Sequence, residues 1–124
     1  MEHRPHSLAE SFRYAFAGIA AVIRRERNMK IHLTVTALVI VFGLIFGITR
    51  IEWLICIGLF GLVMALEAVN TAVEGVVDLV TEEKRPLAKL AKDAAAGAVL
   101  IAAICAAVIG LIIFVPYLMS ALGT

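Results

Sequence analysis

Three long uncharged stretches, separated by charged segments, dominate the chain. They cover residues 31–49, 53–66 and 94–124. A helix that crosses a bilayer needs about 20 mostly apolar residues, so the first and third stretches are long enough by themselves. The second becomes long enough if its helix continues through the acidic residues that follow, and no proline interrupts the chain there. The pattern predicts three membrane-spanning helices, at about residues 30–48, 51–81 and 86–117.

A shorter periodic segment precedes the first span. Apolar residues recur at spacings of three and four between Leu8 and Ile23, as they do on one face of an amphipathic helix. Arginines within the same segment, at Arg13, Arg24 and Arg25, are available to anionic lipid headgroups. We therefore predict a helix at about residues 7–27 that lies along the membrane surface. Anchoring is favoured as its role, and the alternative is that it covers a site.

The composition agrees with a membrane protein. Of the 124 residues, 62% are hydrophobic, and the mean hydropathy is +0.99, whereas soluble domains are only about 45–50% apolar. We predict an all-α membrane protein with a single domain, residues 1–124, that has a surface helix and three spans. The net charge is +1, so no global field indicates a nucleic-acid partner.

The positions of the basic residues predict the orientation of the chain. The segment before the first span and the loop after the second carry most of them: Arg4, Arg13, Arg24, Arg25, Arg27, Lys30, Lys84, Arg85, Lys89 and Lys92. The turn after the first span offers only Arg50. By the positive-inside rule, the N-terminus and the second loop are cytoplasmic and the C-terminus lies outside. Trp53 and Tyr117 would then both lie at the outer interface.

A stripe of acidic residues interrupts the apolar pattern of the second span, in the segment EAVNTAVEGVVD. At about 100° per residue, one narrow helix face carries Glu67, Asn70, Thr71, Glu74 and Asp78. Each ionisable group inside a span costs about 2.5–3.5 kcal/mol on insertion scales, so such groups usually face protein or water. The stripe predicts a site at the cytoplasmic surface; the alternative is a polar seam that pairs within an oligomer.

Further polar residues are expected near the same depth. Glu26 comes just before the first span, and Lys92 and Asp93 lie early in the third. Carboxylates suit Mg²⁺ when phosphates and water complete its coordination, and a lysine can neutralise a phosphate. Glu67 lies deepest, which suits it to accept a proton from a lipid hydroxyl. These are the components of phosphoryl transfer, although the chain contains neither a GxxxxGK[ST] nor a GxGxxG nucleotide motif.

The segment EAVNTAVEGVVD, followed after a short turn by AKDAAAGAVL, resembles the bacterial integral-membrane diacylglycerol kinase family. The segments ERNMKIH and PLAK make the chain more similar to the undecaprenol kinase branch of that family, found in Gram-positive bacteria. The resemblance covers nearly the whole chain. It implies a homotrimeric bundle in the bacterial cytoplasmic membrane, with each active site shared between neighbouring subunits.

The resemblance also implies residue roles. Glu67 would be the general base that acts on the lipid hydroxyl, and Asn70 would position that hydroxyl or the transferred phosphate. Glu26 and Glu74 would hold the Mg²⁺ of MgATP and so contribute to nucleotide binding. The other implied nucleotide-binding residues are Asp78, Lys92 and Asp93.

Three positions admit other interpretations. Asp78 could instead pair with Arg85, and Lys92 could extend to the membrane interface. The turn EEKRP departs from the family, whose members often carry an aromatic residue or histidine before this proline, so no adenine contact is assigned to Lys84 or Arg85. For His32, near the start of the first span, a structural hydrogen bond is favoured over catalysis.

The leading hypothesis is an ATP- and Mg²⁺-dependent kinase that converts undecaprenol to undecaprenyl phosphate, for recycling of the cell-envelope carrier lipid. The alternative substrate is diacylglycerol. A proton- or cation-conducting oligomer is a more distant alternative, because a conduit needs polar groups through both leaflets and the outer halves of the predicted spans are apolar. A purely structural membrane subunit would not need Glu26, Lys92 and Asp93 near the acidic stripe.

Overall fold

A computed structural model describes residues 4–124 of the chain. Within that part, the structure consists of four helices joined by short connections: α1 (Leu8–Arg25), α2 (Arg27–Phe46), α3 (Arg50–Val80) and α4 (Pro86–Ala121). The last three are long and apolar enough to cross a membrane. The predictions of an all-helical chain and of three long apolar helices are therefore confirmed.

Local sequence signals account for the helix ends. Ser7 and Thr49 each cap a helix start, and each forms a reciprocal capping box with the glutamate three residues later. Pro86 begins α4, at a position where its missing N–H leaves no helical hydrogen bond unmade. Gly47 ends α2 with a φ of 63°, a left-handed conformation that glycine adopts without strain. These signals make the α2–α3 connection a tight turn.

The helix bounds differ in two places from those expected. The first two helices meet at Glu26, whose extended backbone breaks the helix, so α2 begins earlier and ends earlier than the expected 30–48. The last helix runs through Pro116 to Ala121, beyond the expected end at residue 117. Backbone N–H and C=O groups in an apolar environment must form their hydrogen bonds within the segment. A helix that continues past Pro116 keeps these hydrogen bonds, apart from the one that the proline removes.

The most extensive helix–helix contact joins α3 to α4, and α2 packs against α3. A hydrophobic cluster holds the three together near the α2–α3 turn, around the buried residues Ile48, Cys56 and Ile113. Tyr117 donates a hydrogen bond to Glu52 at the same end. Trp53 covers Gly43, where an added Cβ would lie 2.7 Å from the indole Cη2 atom. Trp53 and Tyr117 therefore lie at the same end of the three long helices.

Most large apolar side chains of α2, α3 and α4 are exposed on the surface of the chain. They include Leu44, Ile45, Ile101, Ile104 and Leu111. A water-soluble protein rarely exposes so large a contiguous apolar surface, whereas lipid or neighbouring helices can cover it. The helix α1 carries its own exposed apolar residues, Leu8, Phe12 and Phe16. The three long helices thus have the outer surface of a membrane protein.

Candidate active site

Two polar residues on α3 are buried in an otherwise apolar interior. Glu67 is 1% exposed, which makes it the most deeply buried large side chain among residues 4–124, and Asn70 is 7% exposed. Both carboxylate oxygens of Glu67 and the amide oxygen of Asn70 lack a hydrogen-bond partner within those residues. Buried polar atoms are normally hydrogen-bonded because desolvation is costly. These buried, unpaired oxygens therefore indicate a candidate ligand-binding site at Glu67 and Asn70.

A pocket of about 340 Å³ opens beside these two residues. The helix α2 contributes Asn28, Ile31 and His32, and α4 contributes Ala96, Val99, Leu100 and Ala103. The small side chains of Ala96 and Ala103 on α4 leave space in this pocket. Glu67 and Asn70 line the pocket from α3, so all three long helices meet around the carboxylate.

The nearest charged or titratable partner of Glu67 is His32. Its Nε2 atom lies 3.6 Å from Glu67 Oε2, and the His32 side chain is 20% exposed. The sequence did not single out this contact, because a lone histidine in an apolar span does not indicate which neighbouring helix it faces. The one sequence signal for a site role of His32 was its distance from Glu26. It follows Glu26 by six residues, nearly two helical turns.

The stripe continues from the pocket towards the α3–α4 turn. Asn70 Nδ2 donates to Glu74 Oε1 at 3.4 Å, and Thr71 Oγ1 donates to the backbone oxygen of Glu67 at 3.0 Å. Glu74 is half-buried, and Asp78 is exposed. Burial within the chain therefore decreases along this helix face from Glu67 to Asp78.

A second group of predicted site residues lies nearer the turn. Lys92 Nζ donates to Asp78 Oδ1 at 2.6 Å and so links α4 to α3. Asp93 pairs with Lys89 within α4. A pairing of Asp78 with Arg85 is not formed, because Arg85 pairs with Glu83 inside the turn, 3.1 Å from Glu83 Oε2.

A pocket of about 640 Å³ adjoins this second group. Its walls combine cations and acids from the turn and the start of α4: Glu82, Glu83, Lys84, Arg85, Lys89, Lys92 and Asp93. The Glu67 pocket and this pocket near the turn, the turn pocket, lie one after the other along α3 and α4. From Glu67 to Asp78 is 11 residues, or roughly 16 Å along a helix.

The two carboxylates assigned to the metal have different settings. Glu26 is half-buried at the junction of α1 and α2, and Glu74 is half-buried on α3. Neither forms an ion pair with any of residues 4–124. No group of three or more His, Cys, Asp or Glu in that part of the chain is arranged to hold a metal ion alone. Carboxylate oxygens are ligands that suit Mg²⁺ when phosphates and water complete its coordination.

Comparison with known proteins identifies the family. A model of the prokaryotic diacylglycerol kinases matches residues 13–114, which include all seven predicted site residues. The chain belongs to the prokaryotic diacylglycerol kinase family.

Similar proteins within the family carry two names. The undecaprenol kinase of Bacillus subtilis is 45% identical over 109 residues, covering 88% of this chain and 89% of that one. A diacylglycerol kinase of Synechocystis is 43% identical over 115 residues, covering 92% of this chain and 66% of the relative. A diacylglycerol kinase of Haemophilus influenzae is 34% identical over 95 residues, covering 77% and 80%. The chain is therefore a membrane-bound lipid kinase, whose reaction takes a nucleotide and a lipid.

Proposed function

We propose that this lipid kinase transfers the γ-phosphate of ATP to the hydroxyl of undecaprenol, giving undecaprenyl phosphate. The observation that carries the proposal is the continuity between the Glu67 pocket and an apolar groove. The 45% identity to the undecaprenol kinase of Bacillus subtilis supports the same choice of substrate.

The groove starts where the Glu67 pocket ends. A cavity of about 380 Å³ shares Ile31, His32 and Ala103 with that pocket and continues between α2 and α4. A further apolar cavity of about 350 Å³ shares Val35, Val39 and Phe114 with the first. From Ile31 to Phe46 the groove follows 15 residues of α2, or roughly 22 Å. The occupant we assign to it is the hydrocarbon chain of the lipid alcohol, with the hydroxyl at Glu67.

In this proposal, Glu67 acts as the general base. Its buried carboxylate has two free oxygens, and one of them accepts the proton as the lipid oxygen attacks the γ-phosphorus. The new bond joins the lipid oxygen to phosphorus, and the bond from that phosphorus to the β–γ bridging oxygen breaks, so ADP leaves with the electron pair. Asn70, one turn away, donates one amide hydrogen to Glu74 and has a second that can donate to the lipid oxygen or to the transferred phosphate and hold it in line.

Glu26 and Glu74 would hold Mg²⁺ together with the phosphates of ATP. The metal, when bound, neutralises charge on the phosphates during transfer. Asn70 orients the Glu74 carboxylate through the hydrogen bond from its Nδ2 atom. Glu26 is placed by the break between α1 and α2, which points to a functional reason for that break.

Binding of the nucleotide is assigned to the α3–α4 end of the site. Lys92 would exchange its pairing with Asp78 for a phosphate oxygen, since an ammonium binds phosphate as a point charge. Asp78 and Asp93 would then orient the nucleotide through its hydroxyls or through the released lysines. This arrangement puts the phosphates between the turn pocket and Glu67.

We also propose a homotrimer with the N-terminus and the active site on the cytoplasmic side of the membrane and the C-terminus outside. Basic residues before α2 and after α3 support this orientation. The exposed apolar residues of α1 support its position at the membrane surface, as an amphipathic helix. The open, half-covered setting of Glu26 and Glu74 supports completion of the site by a neighbouring subunit.

Diacylglycerol is the second candidate substrate, because relatives at 43% and 34% identity carry that name. It has two acyl chains, whereas one continuous groove leaves the Glu67 pocket within residues 4–124. A single-chain polyprenol suits that groove better.

The test is phosphate transfer from labelled ATP by the purified protein in mixed micelles, with undecaprenol and diacylglycerol offered separately at equal mole fraction. We expect a kcat/KM at least tenfold higher for undecaprenol. A preference for diacylglycerol would keep the chemistry and overturn the substrate, and transfer to neither lipid by folded protein would overturn the proposal.

A further inference from the structure

His32 lies on α2 where the Glu67 pocket and the apolar groove overlap, and it faces the Glu67 carboxylate of α3. It lines both cavities, and its Nε2 atom lies 3.6 Å from Glu67 Oε2. Of the residues that border both cavities, Ile31 and Ala103 are apolar, and His32 carries a polar group close to the Glu67 carboxylate.

The chemistry of the pair explains why histidine suits the position. Both Glu67 oxygens lack a hydrogen-bond donor among residues 4–124, and an imidazole N–H can donate one without adding a full charge to an apolar interior. The 3.6 Å separation is longer than a hydrogen bond, but catalytic hydrogen bonds are often long in ligand-free structures and shorten when substrate binds.

We propose that His32 is a positioning residue for Glu67. Its Nε2–H donates to Glu67 Oε2, which fixes the carboxylate plane and leaves Oε1 to accept the proton of the lipid hydroxyl. The imidazole itself neither binds phosphate nor exchanges a proton in the reaction. This inference rests on the proposed role of Glu67 as the base, and it replaces the purely structural hydrogen bond expected from the sequence.

The backbone of α2 supports this placement. Thr36 Oγ1 donates to the backbone oxygen of His32 at 2.8 Å, and Thr34 Oγ1 donates to that of Lys30 at 2.8 Å. These bonds keep the threonine hydroxyls on their own helix, so neither is committed to Glu67. His32 is then the basic side chain of α2 that lies within 4 Å of the Glu67 carboxylate.

Two substitutions of His32 distinguish the loss of its N–H donor from a change in side-chain volume. His32→Gln keeps an N–H donor near the place of Nε2, whereas His32→Leu keeps similar bulk and removes the donor. We expect His32→Leu to lower kcat for the lipid about 10- to 100-fold, the effect of losing a hydrogen bond to a charged group. Its KM for ATP should change less than twofold. His32→Gln should recover kcat to within about fivefold of the unsubstituted protein.

Ile40→Leu, on the exposed side of the same helix and outside both cavities, is the matched control and should leave kcat unchanged. Should His32→Leu not be recovered as folded protein, His32→Met provides the donor-free side chain. The proposal is overturned if a donor-free variant keeps kcat within threefold, or if His32→Gln is as impaired as the donor-free variant. A failure of the proposed function is distinct, because the unsubstituted protein would then phosphorylate no lipid.

Discussion

The substitution Glu67→Gln is the most informative single change in the site. It preserves the length and nearly the volume of a side chain that is 1% exposed, and it removes the proton acceptor. General base catalysis typically contributes about 10²–10⁴ in rate. Among residues 4–124, no other carboxylate lines the Glu67 pocket, and Glu74 lies seven residues further along α3, or roughly 10 Å. We therefore expect kcat to fall about 10²–10⁴-fold.

Protein stability should move in the opposite direction from activity. Burying a carboxylate without hydrogen bonds is costly, and an amide carries no charge into the apolar interior. The thermal midpoint of Glu67→Gln in detergent should therefore equal or exceed that of the unsubstituted protein. Affinity for MgATP should change less than threefold, because the nucleotide is assigned to the other end of the stripe.

A second substitution at the same position distinguishes the placement of the carboxylate from its ability to accept a proton. Glu67→Asp keeps the carboxylate but withdraws it by one methylene, and a misplacement of about 1 Å can cost roughly 10²-fold in rate. Transfer to undecaprenol and binding of MgATP would be measured for both variants in the same micelles. Turnover of Glu67→Gln within tenfold of the unsubstituted protein would refute the assignment of Glu67 as the base.

Three further predictions concern the rest of the stripe and the fold. Glu74→Gln should raise the Mg²⁺ concentration needed for half-maximal rate about tenfold, the change in affinity expected when one charge-assisted contact is lost. An unchanged Mg²⁺ titration would show that Glu74 does not bind the metal. Lys92→Met should raise the KM for ATP about tenfold by the same reasoning, with Lys30→Met as control. The Lys92–Asp78 pair is about half exposed, so solvent screens it and its loss should change protein stability little. A drop in stability without a change in KM would contradict the role of Lys92 in nucleotide binding. Gly43→Ala should lower the thermal midpoint, since its Cβ would lie 2.7 Å from the Trp53 ring. Gly58→Ala is the control and should not lower it, because the added Cβ meets open space. Equal midpoints for the two variants would show that packing against Trp53 does not restrict the side chain at position 43.

The uncharged runs were sufficient to predict the helices because a bilayer requires long apolar segments with internally satisfied backbones. The depth of Glu67 also followed from sequence, since its position on α3 is fixed by helical periodicity. The junction at Glu26 and the end of α4 were less predictable. Each depends on how a single residue, Glu26 or Pro116, is accommodated by its surroundings.

The contacts between helices could not be predicted in the same way. Periodicity places Asp78 and Lys92 on their own helices, but it does not give the rotation of α3 against α4 that pairs them. His32 is the clearest case, because its approach to Glu67 depends on the packing of α2 against α3. The roles assigned to the seven predicted site residues remain predictions until the variants are measured.

The most direct test of the account asks where the lipid hydroxyl binds. A polyprenol that carries a diazirine next to its hydroxyl would be photolysed with the unsubstituted protein in micelles, and the labelled peptides would be identified by mass spectrometry. We predict labelling around residues 28–32, 67–70 and 96–103, suppressed by excess undecaprenol. Labelling confined to the opposite end of the bundle, around residues 44–52 and 111–121, or labelling that undecaprenol does not suppress, would contradict the placement of lipid phosphorylation at Glu67.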